Sequence, residues 1–437
     1  MFDWDQCRNT LLSTAAAMWS VLLAASSAAQ AMPSVTDIAQ AKSVFADAQA
    51  VSKKEGGHLW GMPLYGRMLV VDPDTRDAVS NMPDPDKRLT SADGVYVGTL
   101  PKNIIISNAP LEWEGQRWTM LMLPTIPKDA MTRSITLAHE MFHRIQPRLG
   151  LMATDSPNPQ FDTEQGRIWL QLEWRALAAA LIETGAAQTQ AIRDAIAFRA
   201  WRHKLFPGSA KTEASLEIAE GVPQYTGTVA AEPDVYAARW RAAADLAHPD
   251  TAVSFVRFFA YISGPGYGLL LDERMPGWRR KLTAQSDLAE LLGSTLPGRS
   301  TESAKARAPV YGASEIMLAE ADRAARVHVQ KVRYRALLVD GPTLKLPAPG
   351  NFSFNPSAII SLGKDGNVYP TFHAISKWGT LDVKAGALIP SDFSWTVVAA
   401  PKSAATSHLI GPGWTLDLAR GWTVVPATKA GSYVLHH

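Results

Sequence analysis

The spacing of apolar residues changes along the chain and predicts regions of different structure. Residues 36–54 have helical spacing and end before Gly56 and Gly57, which favour a helix stop. Thr36 or Asp37 could cap this helix. Short apolar or alternating runs follow and are typical of strands. These runs are residues 66–72, 94–100, 104–106 and 117–123, the last two joined around Glu114 and Gly115. They predict a small antiparallel sheet.

From Asp129 onward, apolar residues recur at helical spacing, with Pro and Gly residues between the segments. Asp162 is the expected N-cap of the second helix. The predicted helices are residues 129–146, 162–183, 189–205, 211–224, 235–246, 253–262, 278–292 and 313–332. Residues 263–268 (SGPGYG) predict a tight turn, and residues 293–309, which are rich in small and polar side chains, predict a linker.

The last hundred residues contain short strand-like runs separated by Gly and Pro, which indicate a β-sandwich or barrel. The predicted fold class is therefore α+β, with a small N-terminal sheet packed on a mostly helical domain, followed along the chain by a C-terminal all-β domain. The predicted divisions are residues 1–31, 32–130, 131–293, 294–332 and 333–437.

Residues 1–31 have the pattern of an export signal. An apolar stretch from Leu11 ends in Ala29-Gln30-Ala31, so cleavage would make Met32 the first mature residue. The alternative is an uncleaved membrane anchor. We expect a periplasmic, cell-surface or extracellular protein with no stable membrane insertion after signal removal.

Charge and cysteine content limit the chemistry. Of 437 residues, 43 are Lys or Arg and 41 are Asp or Glu, and this balance argues against a nucleic-acid-binding surface. The single cysteine, Cys7, lies in the predicted signal. The mature chain would therefore have no disulfides and no thiolate ligands, and a metal site must use His, Asp and Glu.

The most informative motif is His139-Glu140-Met141-Phe142-His143, inside a predicted helix. Side chains four residues apart share one helix face, so His139 and His143 can bind one zinc ion. Glu140 is placed to act as general base on a water activated by that ion. If the zinc were only structural, Glu140 would have no role, because structural sites usually fill all four coordination positions with protein ligands.

A catalytic zinc usually has a third protein ligand. The metzincin pattern is excluded because Gln146 and Leu149 occupy the places of its Gly and third His. Carboxylates on later helices remain, and Glu164 is the weakest because it follows a Pro-rich loop. Glu173 lies in an otherwise apolar helix, whereas Glu220 precedes Gly221, which would allow the metal helix to approach closely. Both Glu173 and Glu220 remain candidates.

These residues resemble the gluzincin (peptidase-MA-like) zinc metallopeptidases, which pair His-Glu-x-x-His with a later Glu, often in Glu-Gly-x-Ala-x-Tyr. Gly221 and Tyr225 match this setting, but Pro223 stands where Ala is usual. The segment from Glu173 to Ala176 resembles another gluzincin ligand pattern. The resemblance covers about residues 130–292 and ranks Glu220 slightly above Glu173.

The resemblance implies a zincin-like catalytic domain, Zn²⁺ as cofactor and a peptide or protein substrate. In gluzincins an extended substrate pairs with an edge strand, for which residues 117–123 are the candidate. Tyr225 and Tyr267 could donate to an oxyanion, although a packing role is more common for buried tyrosines. The alternative function is a non-catalytic metal-binding or envelope interaction protein.

Overall fold

The computed structural model describes residues 34–101, 104–113, 115–154, 156, 158–251, 254–298, 303–355, 358–403 and 406–437. The predicted signal, its cleavage site before Met32, and Cys7 lie outside these residues, as does Glu114. The architecture is α+β: an N-terminal sheet, a helical middle region and a C-terminal all-β region.

The N-terminal region pairs one helix with a six-stranded sheet. Helix α1 (Val35–Glu55) ends at Gly56 as predicted, where a left-handed backbone (φ 65°) favours glycine. Its N-cap is Ser34, not Thr36 or Asp37, because the Ser34 hydroxyl accepts from the Asp37 N–H. The strands are β1 (Met68–Val71), β2 (Asp77–Ser80), β3 (Thr90–Ala92), β4 (Val95–Thr99), β5 (Ala109–Trp113) and β6 (Gln116–Met122).

Three sequence predictions about this sheet are wrong. The sheet is mixed, because β1 and β6 run parallel while the other pairs are antiparallel. The strand before β6 is β5, and residues 104–106 form no strand. The strand order is β3-β4-β2-β1-β6-β5, so β5 forms the edge and β6, the predicted edge strand, lies between β1 and β5.

The middle of the chain is helical and shares one apolar core with α1. Its helices are α2 (Ala130–Ile145), α3 (Glu164–Ile182), α4 (Gly185–Leu205), α5 (Ser209–Leu216), α6 (Val222–Ala231), α7 (Val235–Ala247), α8 (Phe255–Arg274), α9 (Leu288–Gly293), α10 (Ala304–Arg307) and α11 (Ala313–Arg335). A π-helical turn, Glu217–Gly221, separates α5 from α6. Buried Trp174, Phe142 and Phe255 belong to this core.

Helix α8 corrects the prediction of a turn at residues 263–268, which lie inside the helix. Gly264 serves packing, since a Cβ there would lie 2.2 Å from the Gly221 carbonyl oxygen. Gly221 therefore contacts α8. The close approach to the metal-motif helix α2 comes instead at Gly227, where a Cβ would lie 2.5 Å from the Ile135 carbonyl oxygen. The prediction that Asp162 caps α3 is also wrong, because Thr163 caps that helix.

The C-terminal region has two sheets that share one core, as in a β-sandwich. Its strands are β7 (Thr343–Pro347), β8 (Asn351–Phe354), β9 (Ile360–Ser361), β10 (Asn367–Tyr369), β11 (Phe372–Ser376), β12 (Gly379–Val383), β13 (Ala387–Ile389), β14 (Trp395–Ala399), β15 (His408–Gly411), β16 (Trp414–Leu418), β17 (Thr423–Pro426) and β18 (Tyr433–His436). The sheet orders are β17-β18-β7-β14-β13-β10-β9 and β15-β16-β12-β11-β8.

Helix α11 connects the helical and β regions. Its N-terminal half is held by buried Glu320, which accepts from Arg167 Nε at 2.9 Å and Gln171 Nε2 at 2.8 Å. Ala304, Ala308 and Ile316, from the segment predicted as linker and helix, also enter the helical core. None of the helices in the described ranges combines the length and apolarity that crossing a bilayer requires.

Candidate metal centre

The His-Glu-x-x-His motif lies on α2, and the helix buries it. Asp129 caps α2 by accepting from the Thr132 N–H, and the apolar face of the helix includes Leu137, Met141 and Phe142. His139 is buried, and His143, one turn later, is partly buried. The rings lie edge to face, with centroids 4.8 Å apart. The helical spacing read from the sequence therefore brings both imidazoles to one place.

The two imidazoles turn their Nε2 atoms toward each other, 3.1 Å apart. Each Nδ1 is hydrogen-bonded to a glutamine side-chain oxygen. The distance is 3.0 Å from His139 Nδ1 to Gln224 Oε1 and 2.8 Å from His143 Nδ1 to Gln146 Oε1. An amide oxygen accepts hydrogen bonds, so each Nδ1 donates and each Nε2 presents a lone pair. This tautomer suits metal binding through Nε2.

Glu220 brings a carboxylate to the same point. Its Oε2 lies 3.4 Å from His139 Nε2 and 3.6 Å from His143 Nε2. Ligand atoms about 2.0–2.1 Å from one tetrahedral ion are about 3.3 Å apart. The three separations match that spacing, so this donor set fits zinc. Among the described residues, His139, His143 and Glu220 are the group of three that could hold a metal.

The π-helical turn places Glu220 at the site. Glu217 and Glu220 lie on the same turn, but Glu217 points into a buried ion cluster and pairs with Arg199 at 2.7 Å. Glu220 instead faces the histidines. Single π turns inside helices often occur at functional sites because they redirect side chains. Pro223 has no N–H to donate to the turn before it, and the Ala219 carbonyl of that turn faces the Gln146 amide nitrogen at 3.4 Å instead.

Two side chains of α8 hold the Glu220 carboxylate. The Tyr261 hydroxyl donates to Oε2 at 2.6 Å, and an Arg257 amino group donates to Oε1 at 3.1 Å. The Tyr261 ring also stacks on His139, with centroids 5.3 Å apart and planes 8° apart. The Tyr261 hydroxyl therefore lies beside the carboxylate oxygen that faces both histidines.

Electrostatics at the site follow from burial and close charges. Burial raises the pKa of the Glu140 carboxyl, although His139 and His143 oppose the shift. Burial alone would lower the pKa of His143, but Glu220 and Glu140 outweigh it and raise that pKa. Burial also opposes ionisation of Glu220, yet the two histidines hold the pKa of its carboxyl well below the usual range. Glu220 is therefore a carboxylate, as a metal ligand must be.

Glu140 has a buried, unsatisfied oxygen. Its Oε2 has no hydrogen-bond partner among the residues that the structure describes. A buried polar atom without a partner costs about 1–3 kcal/mol. The histidines and Glu220 all contribute to its pKa shift, so this carboxyl lies close to the candidate centre.

The other candidate ligands lie in different surroundings. Glu173 is completely buried and accepts from Arg199 at 3.3 Å, Arg202 at 2.5 Å and the Tyr267 hydroxyl at 2.7 Å. These donors occupy both of its carboxylate oxygens. Glu164 is the first residue of α3 and is exposed.

The sequence pattern predicted no role at the site for four residues that contact it, Tyr261, Arg257, Gln146 and Gln224. Tyr225 and Tyr267, the two candidate oxyanion donors from the sequence, have packing and hydrogen-bonding roles. Tyr267 donates to Glu173, and Tyr225 donates to Asp272 at 2.7 Å. Arg257 and Tyr261 lie four residues apart in the predicted helix 253–262, but that spacing does not show that both contact Glu220 on another element. Helical spacing gave no signal for the two glutamines, since their contacts cross between elements.

Comparison with known proteins gave no match: no family model, no curated protein and no solved structure is similar to this chain. The gluzincin resemblance therefore stays a prediction carried by His139, Glu140, His143 and the residues around Glu220.

Proposed function

We propose that the protein is a zinc-dependent metallopeptidase in which His139, His143 and Glu220 hold the metal. The observation that carries the proposal is the spacing of 3.1–3.6 Å among the two Nε2 atoms and Glu220 Oε2. When held by these residues, zinc would act as a Lewis acid and would make water a better nucleophile. Glu220 is preferred to Glu173 because its Oε2 lies 3.4 Å and 3.6 Å from the two histidine Nε2 atoms, whereas Glu173 pairs with Arg199 and Arg202.

Glu140 is the proposed general base. Its unpartnered Oε2 is free to accept a proton from the attacking water, and burial raises the pKa of the carboxyl, which makes it a stronger base. The water oxygen bonds to the carbonyl carbon, the C–N bond breaks, and Glu140 passes the proton to the leaving amine. In this mechanism the unpartnered Glu140 Oε2 is the atom that accepts the proton.

Tyr261 is the proposed donor to the oxyanion that develops on the substrate carbonyl. Burial and the nearby Glu220 raise the pKa of the Tyr261 hydroxyl, which keeps its proton at physiological pH. Its hydroxyl lies 2.6 Å from the Glu220 oxygen that faces the histidines. The single hydroxyl proton is donated to Glu220 Oε2 in this structure, and in the proposal it turns to the oxyanion as negative charge develops beside the ligand set.

The edge strand β5 is the proposed place for an extended substrate. Arg117 joins β5 to α2, because it pairs with Glu112 at 2.5 Å and donates to the His143 carbonyl at 3.1 Å. Pro110 pairs with Thr119 and has no N–H, so its nitrogen faces the open side. The open side of β5 therefore carries the Pro110 carbonyl and the N–H and C=O groups of Glu112, with which an extended peptide would pair.

Two further parts of the proposal concern location and partners. Export to the periplasm, cell surface or medium stays a prediction from the Ala29-Gln30-Ala31 pattern. The partner is a peptide or protein, and the near-balanced charge argues against nucleic acid.

The test combines metal content with cleavage of a mixed-sequence peptide library. Wild type and Glu140→Gln should each hold about one zinc, since Glu140 is not a ligand, while Glu140→Gln loses hydrolysis by about 10²–10⁴-fold. His139→Ala is the control and should lose the zinc. Equal cleavage by wild type and Glu140→Gln would remove the mechanism. Zinc binding without any cleavage by the wild type would support the alternative of a non-catalytic metal-binding protein.

A further inference from the structure

We infer that Gln146 is a positioning residue: it selects the metal-binding nitrogen of His143 and ties the segment carrying Glu220 to the end of α2. This inference rests on the zinc site proposed above. Gln146 directly follows α2 and is only 4 % exposed. Its side chain contacts both of the segments that supply ligands.

The orientation of the Gln146 amide follows from its neighbours. Its Nε2 faces three backbone carbonyl oxygens: Leu151 and Ile218 at 3.1 Å, and Ala219 at 3.4 Å. Carbonyl oxygens only accept hydrogen bonds, so the amide nitrogen must face them. The amide oxygen, Oε1, is then directed to the opposite side.

That oxygen determines the tautomer of His143. Oε1 lies 2.8 Å from His143 Nδ1, and because an amide oxygen cannot donate, Nδ1 must carry the proton. The lone pair of His143 is then on Nε2, which faces His139 Nε2 and Glu220. The carbonyls of a distant segment thus select the nitrogen that binds metal.

The same side chain couples the ligands mechanically. Ile218 and Ala219 belong to the π-helical turn that also carries Glu220. A shift of this turn relative to α2 would break the Gln146 hydrogen bonds and turn His143. Partners that orient ligand imidazoles typically change metal affinity by about 10–100-fold when they are lost.

Gln224 provides a matched comparison. Its Oε1 accepts from His139 Nδ1 at 3.0 Å, as Gln146 does for His143. In the part of the chain that the structure describes, however, the Gln224 amide nitrogen makes no hydrogen bond to the π-helical turn. Substitution by Glu keeps an acceptor at both positions but removes the amide donor, which matters only at Gln146.

The experiment compares Gln146→Glu with Gln224→Glu in the full chain. Zinc affinity is measured by chelator competition, and coordination by the visible absorption of the Co²⁺-substituted protein. Gln224→Glu should bind zinc at least as tightly as wild type, because a carboxylate acceptor makes the imidazole more basic. Gln146→Glu should bind about 10–100-fold more weakly and show an altered Co²⁺ spectrum. Equal affinities and unchanged spectra in both variants would overturn the inference.

A buried carboxylate could unfold Gln146→Glu, so a second measurement uses the wild type. In zinc-loaded protein with ¹⁵N-labelled histidine, His143 should carry its proton on Nδ1, and a proton on Nε2 would overturn the inference. A wild type that binds no zinc would overturn both the proposed function and this inference. A zinc-loaded, active wild type whose Gln146→Glu variant matches Gln224→Glu would overturn only the inference.

Discussion

At the scale of single residues, Glu173 and Glu220 show how surroundings separate two similar side chains. Both are glutamates on helical segments of the middle region. Glu173 faces Arg199 and Arg202 inside the protein, whereas Glu220 faces two imidazoles. A buried carboxylate held by two guanidinium groups neutralises charge, while one beside two lone-pair nitrogens is suited to share a cation.

The two glutamates should respond differently to substitution by Gln. Glu220→Gln should lose tight zinc binding, because a neutral amide is a poor zinc ligand. Glu173→Gln should keep zinc but lower the free energy of unfolding by about 1–3 kcal/mol, since it removes one of the two carboxylates that hold buried Arg202, which still pairs with Glu213 at 2.6 Å. Chelator competition and thermal unfolding measure the two effects. Normal zinc affinity in Glu220→Gln with a zinc-free but folded Glu173→Gln would reverse the assignment.

Tyr261→Phe tests the proposed oxyanion donor. At saturating zinc, kcat should fall about 10²–10³-fold, because one preorganised donor is removed from the developing charge. Tyr267→Phe on the same helix is the control, since its hydroxyl donates to Glu173 and should affect stability alone. If Tyr261→Phe weakened zinc binding while kcat stayed normal at saturating zinc, the hydroxyl would only orient Glu220.

At the scale of elements, the N-terminus of α2 offers a pH-dependent test. The Thr132 N–H and hydroxyl donate to Asp129 and lower the pKa of its carboxyl. Because the folded-state pKa lies below the unfolded one, this stabilisation is present above about pH 4 and is lost as pH falls through the folded value.

Asp129→Ala should therefore lower the unfolding temperature at pH 7, and its difference from wild type should shrink under acid. Asp129→Asn is the matched control, because Asn also caps helices but does not titrate. It should remain stable at pH 7. A difference between wild type and Asp129→Ala that stays constant from pH 7 to about pH 3 would contradict the capping role.

The helix pair at the π-helical turn shows why element boundaries depend on packing. Gly221 and Gly264 bring this turn and α8 into backbone contact. Read as sequence, Gly264 and Pro265 break a helix, yet α8 continues through both. Tertiary contact overrides local propensity here, and it places Tyr261 and Arg257 on Glu220.

At the scale of the whole molecule, the helical and β regions have separate apolar cores. Trp174 and Phe142 belong to the first, and Leu346, Leu381 and Trp414 to the second. Helix α11 is fixed to the helical region by the buried Arg167–Glu320 pair at 2.9 Å. A separate small cluster that includes Leu338 joins the end of α11 to the β-sandwich.

Separate cores predict two unfolding transitions. Leu381→Ala should lower the stability of the β transition by about 2–5 kcal/mol and leave zinc binding unchanged. Leu170→Ala, at an equally buried position in the helical core, should lower the other transition instead. Calorimetry of both variants measures this. A single transition shifted equally by both substitutions would show that the cores unfold as one unit.

The sequence alone determined the features that depend on local spacing. The α+β order, the stop of α1 at Gly56 and the helix carrying His139 and His143 follow from periodicity and punctuation, because such patterns act within a few residues. The shared helix face of the two histidines needs no tertiary information, since four residues make about one turn.

Tertiary structure alone decided what depends on contacts between distant segments. The edge position of β5, the continuation of α8 through Pro265 and the burial of Glu173 against Arg202 cannot be read from local spacing. The place of Glu220 depends on a π-helical turn that packing against α8 supports. Hydrogen bonds across elements orient the imidazoles, and a linear pattern contains no record of which distant groups meet.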